Sequence, residues 1–293
     1  MTEISNVNFL TAALGHKKYM KAANRLKKNV LEIGQKNELT IYDETKLFET
    51  YPRYESLFLK NHIVGFGAWI WKPLIIQSEL RKLKENDILI YLDVGCEVNL
   101  TPDAIEKLTK YVNLSKEKGI VVFENSQLEK NYTYKSVYSF FSYEPMNVEN
   151  DIQISASILI ISNVELSRNI VNKWAAACLY KDGILAFNRN DVTPEANHRN
   201  DQSILSVLLK TTKQGMILPN ETYFSTGDYL KKFEPYLYPF HTTRNFTEWS
   251  FLKMYYFFNN TMKYFPLKIS LFVVKRFTYA IVHVSLLKLK FKM

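Results

Sequence analysis

One run of residues limits what this chain can fold into more than any other. Ile88-Leu89-Ile90-Tyr91-Leu92 is five positions long without a polar break, framed by Asp87 and Asp93. A strand with one wet face alternates polar and apolar side chains. A run apolar at every position suits a strand buried on both faces, as in a parallel sheet covered by helices. The flanking segments agree. Pro73 opens a helix whose Ile76, Leu80 and Leu83 fall at i, i+4 and i+7 on one face. Downstream, Thr101-Pro102-Asp103 offers an N-cap, a first-turn proline and an acid suited to the helix dipole. That helix turns Ile105, Leu108 and Val112 inward and stops at Gly119.

The same alternation covers the rest of the chain. Asn8 to Leu14 reads as a first strand, followed by a basic helix over roughly His16 to Val30. Ile120 to Phe123 and Ile152 to Ile161 read as strands. Asn163 caps a helix through Leu166, Ile170 and Trp174, and Asn200 caps another with Ile204, Leu205 and Leu208. Strands alternating with helices predict an α/β domain with a mostly parallel sheet and a ligand crevice at the carboxyl ends of its strands. With 293 residues, 47% of them hydrophobic and 23% charged, the chain can bury one substantial core and is not of disordered composition.

Asp93-Val94-Gly95-Cys96-Glu97 follows the apolar strand directly, where such a sheet exposes its crevice. A diphosphate-bearing ligand would bring negative charge into that crevice. A carboxylate-held Mg²⁺ or Mn²⁺ can neutralise that charge, and Gly95 removes a side chain where phosphates must approach the backbone. The competing reading is a strand-ending turn in which Asp93 caps the next segment.

Three ordered segments weigh strongly towards the first reading. Gly65-Phe66-Gly67-Ala68-Trp69-Ile70-Trp71-Lys72-Pro73, Asp93-Val94-Gly95-Cys96 and His198-Arg199-Asn200-Asp201-Gln202-Ser203, with Gln153 and Ala156-Ser157 between the last two, resemble a family of bacterial glycosyltransferases of surface-polysaccharide and lipopolysaccharide synthesis. The similarity spans roughly Phe9 to Arg244. It implies a GT-A, Rossmann-like nucleotide-diphospho-sugar transferase fold and transfer of a hexosyl unit from a nucleotide sugar, a UDP-sugar first, to a hydroxyl of a glycan or lipid-linked acceptor. Likeness to retaining galactosyltransferases of related fold implies retention of configuration.

The resemblance also assigns positions. Asp93 takes the place of the first acid of an Asp-x-Asp motif, the second being replaced by Gly95, which leaves a metal to Asp93 with either Glu97 or a distant ligand. His241 is similar in position to a late histidine that completes the Mn²⁺ or Mg²⁺ shell, against the plainer reading of a structural histidine. Asp201 and Gln202 resemble an Asp-Gln pair beside the sugar, although Asp201 also serves as a helix-capping acid. Gln153, Ala156 and Ser157 lie on the strand that would floor the sugar, Lys72 meets the diphosphate as a point charge, and Thr11 touches the nucleoside. Trp69 and Trp71 share one face if extended, where they either pack in the core or stack on a ligand.

The formal charge is +9, and from Phe246 to Met293 there are eight Lys or Arg against the single acid Glu248. Most of the excess therefore sits at one end, unlike the basic stripe across a folded domain that nucleic-acid binding wants. Aromatic residues such as Trp249, Tyr255, Phe257 and Phe265 interleave with the lysines there. In a spanning helix Lys275 and Arg276 would cost roughly 2.5–3.5 kcal/mol each. An interfacial helix on anionic lipid fits better. The expected organisation is a catalytic domain over 1–245 and a helical membrane-associating tail over 246–293, peripheral at the inner, cytoplasmic face of the membrane. Two cysteines, Cys96 and Cys178, form no disulfide framework and read as small buried residues. Met1 to Asn8 carries no apolar run of the secretory kind. Two alternatives stay open: a nucleotidyltransferase of the same fold, disfavoured by the single glycine in Gly15-His16-Lys17-Lys18, and a non-catalytic carbohydrate- or membrane-binding homologue.

Overall fold

The computed structural model describes residues 7–34, 37–60, 65–143, 151–187, 197–222 and 237–247. In chain order, β1 (Val7–Ala12) leads into α1 (Lys17–Ile33), β2 (Glu38–Tyr42), α2 (Glu44–Thr50) and α3 (Glu55–Lys60). A single turn, α4 (Gly65–Ala68), precedes α5 (Trp71–Lys82), β3 (Ile88–Leu92), β4 (Glu97–Val98) and α6 (Pro102–Lys118). Then come β5 (Ile120–Leu128), α7 (Lys135–Phe141), β6 (Ile152–Ser162), α8 (Glu165–Leu179), α9 (Ile184–Phe187), α10 (Asp201–Thr212), β7 (Met216–Leu218) and β8 (Phe240–His241).

Six of these strands form one sheet of order β2-β1-β3-β6-β5-β7. Five run the same way and β6 runs against them, pairing antiparallel with both β3 and β5. The expectation of a mostly parallel α/β sheet therefore holds, with one reversed strand inside it. The reversal matters for the site. Leu92 pairs with Ile158 and Phe123 with Ser155, so the first half of β6 lies at the carboxyl ends of β3 and β5.

The all-apolar run of β3 is explained by two cores. Leu89 and Tyr91 face a cluster holding Ile75, Trp174 and Leu205 from α5, α8 and α10. Ile88, Ile90 and Leu92 face the opposite cluster with Leu26 of α1 and Leu108 of α6. At roughly 1.5–3 kcal/mol for each fully buried aliphatic side chain, this strand is covered with profit on both faces.

Both ends of α6 match their local signals. Thr101 accepts from the Ala104 amide (3.4 Å), Pro102 is the first residue of α6, and Gly119 ends it at φ +80°. Two predicted caps do not form. Asn163 donates to the carbonyls of Leu83 and Lys84, and Val164 takes the cap position of α8. Asn200 occupies the cap position of α10, but its amide donates to the Ala186 carbonyl instead. Both cysteines are free and buried, as expected. Residues 248–293, and with them nearly all of the predicted tail, lie outside the described residues. Among the described residues no helix is long and apolar enough to cross a membrane.

Candidate active site

The Gly-Trp segment is not extended. From Gly65 to Trp69 every residue has φ between +48° and +86°, so α4 is a left-handed turn. Left-handed backbone costs roughly 1–2 kcal/mol for each non-glycine residue, here Phe66, Ala68 and Trp69. The two glycines sit where no side chain fits. A Cβ on Gly65 would lie 2.2 Å from the Trp69 ring, and one on Gly67 would lie 2.9 Å from the Phe58 backbone. What offsets the cost is local: the Trp69 amide (3.2 Å) and the Trp71 indole (3.1 Å) both donate to the Gly65 carbonyl, and Phe66, Ala68, Ile70 and Trp71 are buried. The turn sends Trp69 and Trp71 to the cleft wall and starts α5 with Lys72 in its first turn.

Lys72 then reaches across the carboxyl end of the sheet. Its ammonium donates to the Ala156 carbonyl at 3.1 Å and pairs with Asp93 Oδ1 at 3.1 Å and Asp201 Oδ2 at 3.3 Å. The contact at Asp201 Oδ2 has the geometry of an ion pair rather than of an aligned hydrogen bond. Tyr91, whose hydroxyl donates to Asp93 Oδ1 (2.8 Å), steadies the same carboxylate from the strand below. The Lys72 and Asp201 side chains are each 4% exposed, whereas Asp93 is 34% exposed. Burial is the largest influence on Asp201 and pushes its carboxyl up to about 7; Lys72 draws it down and Asp93 adds to the rise. For Lys72 burial works to lower the pKa, but the two carboxylates outweigh it and hold the ammonium above its ordinary value. Burial likewise raises the Tyr91 phenol well beyond its usual range, so it stays a donor.

A second tier supports these groups. The Ala156 amide donates to Gln202 Oε1 (3.2 Å), and Gln202 Nε2 donates to Gln153 Oε1 (2.6 Å). Gln153 is fully buried and donates onward to Thr133, Ser203 and the Tyr132 carbonyl. Ser157, Asp93, Gly95, Lys72, Asp201 and Gln202 all line one cleft of about 770 Å³. The Asp93 amide also donates to the Ser157 carbonyl (2.8 Å). Four of the predicted site residues stand behind the cleft wall instead. Gln153 and Ala156 act through Gln202 and Lys72. Thr11 is fully buried and donates to the Leu92 carbonyl (2.7 Å), tying β1 to β3. His241 is fully buried, its backbone paired with Glu97 and its Nε2 3.0 Å from the Tyr238 carbonyl.

Gly95 and Glu97 serve the chain's own architecture. A Cβ on Gly95 would meet the Phe246 ring at 2.8 Å and Arg244 Cα at 3.0 Å, so the close approach that Gly95 permits is that of the Arg244–Phe246 segment. Glu97 is fully buried and accepts from Arg25 (3.2 Å) and Asn245 (2.9 Å). It is therefore committed there and does not stand in for the missing second acid. Arg25 also donates to the carbonyls of Cys96 (2.9 Å) and Asn245 (3.0 Å), stitching α1, the Asp93–Glu97 turn and the segment after β8 together. Its signal in the sequence was a charged residue inside the apolar stripe Ala22, Leu26, Val30. Other cleft residues carried no motif: Lys18 and Tyr19 at the start of α1, Asn125 of β5, Arg244 and Phe246. Tyr19 and Phe246 meet edge to face at 5.0 Å, with the Lys18 ammonium 5.0 and 5.3 Å from their ring centres.

The Mn²⁺ or Mg²⁺ expected through Asp93 and His241 does not fit the described residues. Among them no three His, Cys, Asp or Glu side chains group closely enough to hold a metal ion. The more accessible carboxylate, the half-buried Asp93, already pairs with an ammonium. A single and a double positive charge about 4 Å apart repel by about 8 kcal/mol at an effective dielectric of 20.

No family model matches the chain, and no curated protein matches it. Among solved structures it is similar to the galactosyltransferase LgtC in complex with donor and acceptor sugar analogs, at 12% identity over 76% of this chain and 77% of that one, with a TM-score of 0.41. It is also similar to a glycosyltransferase involved in the glycosylation of the major capsid of PBCV-1, at 13% identity over 80% of this chain and 91% of that one, with a TM-score of 0.44. At these identities and scores neither likeness assigns a family or a chemistry to the chain.

Proposed function

We propose that the chain is a glycosyltransferase of GT-A type that moves a hexosyl unit from a nucleotide sugar, a UDP-sugar first, to a hydroxyl of a glycan or lipid-linked acceptor in surface-polysaccharide synthesis. One observation carries this reading. Lys72, Asp93, Asp201 and Gln202, drawn from three segments far apart in sequence, converge in one cleft at the carboxyl end of an α/β sheet, where such sheets bind nucleotides. Cationic side chains of Lys18, Arg199 and Arg244 line the same cleft and suit a diphosphate.

In the reaction the bond from the anomeric carbon to the diphosphate oxygen breaks and one to the acceptor oxygen forms, through a transition state of oxocarbenium character. The acceptor hydroxyl passes its proton to the departing diphosphate or to water, and the negative charge left on the diphosphate meets the basic side of the cleft. Asp93 and Gln202 offer polar atoms to the sugar hydroxyls. Ser157 adds a further hydroxyl on the same wall.

Incubation of the purified chain with UDP-, GDP- and CMP-sugars, with and without Mn²⁺, tests the reading by release of free sugar and nucleotide. One nucleotide class is expected to be hydrolysed, and Asp93→Ala to abolish that turnover. Absence of turnover and of nucleotide binding across the panel sinks it. Binding without turnover favours the non-catalytic homologue.

A further inference from the structure

Two carboxylates converging in a phosphate-handling cleft ordinarily call for a cation between them. Here the chain supplies that cation. The Lys72 ammonium donates to the Ala156 carbonyl (3.1 Å) and forms ion pairs with Asp93 Oδ1 (3.1 Å) and Asp201 Oδ2 (3.3 Å). The lysine is thereby committed to the chain's own acids. It is fixed further by burial and by the start of α5, itself locked by the left-handed turn before it. Glu97, the nearest other acid after β3, is held by Arg25 and Asn245.

Two cationic side chains remain exposed at the same cleft from different elements: Lys18 at the start of α1 and Arg244 after β8. They are kept near one another by the contact of Tyr19 with Phe246 and by the approach of Arg244 to Gly95. We propose that Lys72 is the resident cation of this site, and that the donor diphosphate binds without a divalent metal, met by Lys18 and Arg244. The inference rests on the donor-site reading above and departs from the metal-dependence that the resemblance implies.

The test is calorimetry of UDP and GDP binding to the full chain, in EDTA and in Mn²⁺, beside a titration of Mn²⁺ followed by electron paramagnetic resonance. The nucleotide that binds is expected to show the same Kd in both buffers within about twofold. The resonance of free Mn²⁺ is expected to persist at one equivalent of protein. Arg244→Ala and Lys18→Ala, both at exposed positions, should each weaken binding in EDTA about tenfold while leaving Tm unchanged. Binding that appears only with Mn²⁺, or stoichiometric capture of Mn²⁺ by the protein alone, overturns the proposal and leaves the donor site standing. Failure of every nucleotide in both buffers overturns the donor-site reading and this proposal with it.

Discussion

At the scale of single residues, Lys72 holds more than any other side chain of the cleft. It is buried between two acids, one of them equally buried. Removing one partner of a buried ion pair leaves an uncompensated charge and costs about 3–5 kcal/mol. Lys72→Met should therefore lose that much stability in urea denaturation, with donor hydrolysis lost as well. The same cluster sets a dependence on pH. The Asp201 carboxyl is raised from 3.8 to about 7 in the folded chain, so between those values the folded state holds a proton that the unfolded state has released. The stability this contributes is fully present below about pH 4 and disappears as pH rises through about 7. Denaturation of the wild type and Asp201→Asn across that window should show the wild type losing stability relative to the variant as pH rises. A difference that stays flat, or grows, would mean that Asp201 is ionised throughout. Asp93, Lys72 and Asp201 were each singled out in the sequence, and the structure places all three at one cleft. Their partnership was not legible there, because nothing in a linear pattern says that a helix start, a strand end and another helix start meet on one ammonium.

At the scale of elements, what could be read was what local chemistry decides. The helix from Pro102 to Lys118 follows from Thr101, Pro102 and Gly119, all acting within a few residues. The caps at Asn163 and Asn200 failed because those side chains answer carbonyls of other elements, at Leu83, Lys84 and Ala186. The reversed direction of β6 left no trace either, since an apolar run reads the same both ways along a strand. The left-handed turn is an intermediate case. Two glycines one residue apart marked an unusual backbone, but an extended reading of Trp69 and Trp71 missed its hand. The turn gives a sharp expectation. Gly67 has φ +86°, and an added Cβ would stand 2.9 Å from Phe58 Cα, an atom of backbone that cannot step aside cheaply. Gly67→Ala should cost about 1–2 kcal/mol for the left-handed backbone alone, more with the contact, read as a lower urea midpoint at unchanged m. The same change should weaken nucleotide binding, because the start of α5 and Lys72 move with the turn. Loss of stability with nucleotide affinity intact would show that the turn supports the fold without positioning the site.

At the scale of the whole molecule, residues on both sides of the division expected after residue 245 line or support the cleft. Asn245 donates to Glu97 (2.9 Å) and accepts from Arg25, and Phe246 packs over Gly95 and against Tyr19. Asn245 and Phe246 therefore pack with the cleft, and we propose that the basic aromatic stretch after Thr247 is a membrane anchor distinct from it. At about 1 kcal/mol per basic residue close to an anionic surface, the eight Lys and Arg beyond Phe246 would suffice for this proposed attachment if they lie at that surface. A chain ending after Thr247 should keep donor hydrolysis, yet no longer sediment with vesicles containing phosphatidylserine or phosphatidylglycerol. One ending before Arg244 should lose hydrolysis too, because it removes Asn245 from Glu97, Phe246 from Gly95 and the Arg244 guanidinium from the cleft. If the first truncation already abolished hydrolysis, the stretch would be part of the site and not an anchor. If it still sedimented, the membrane contact would have to come from the residues up to Thr247.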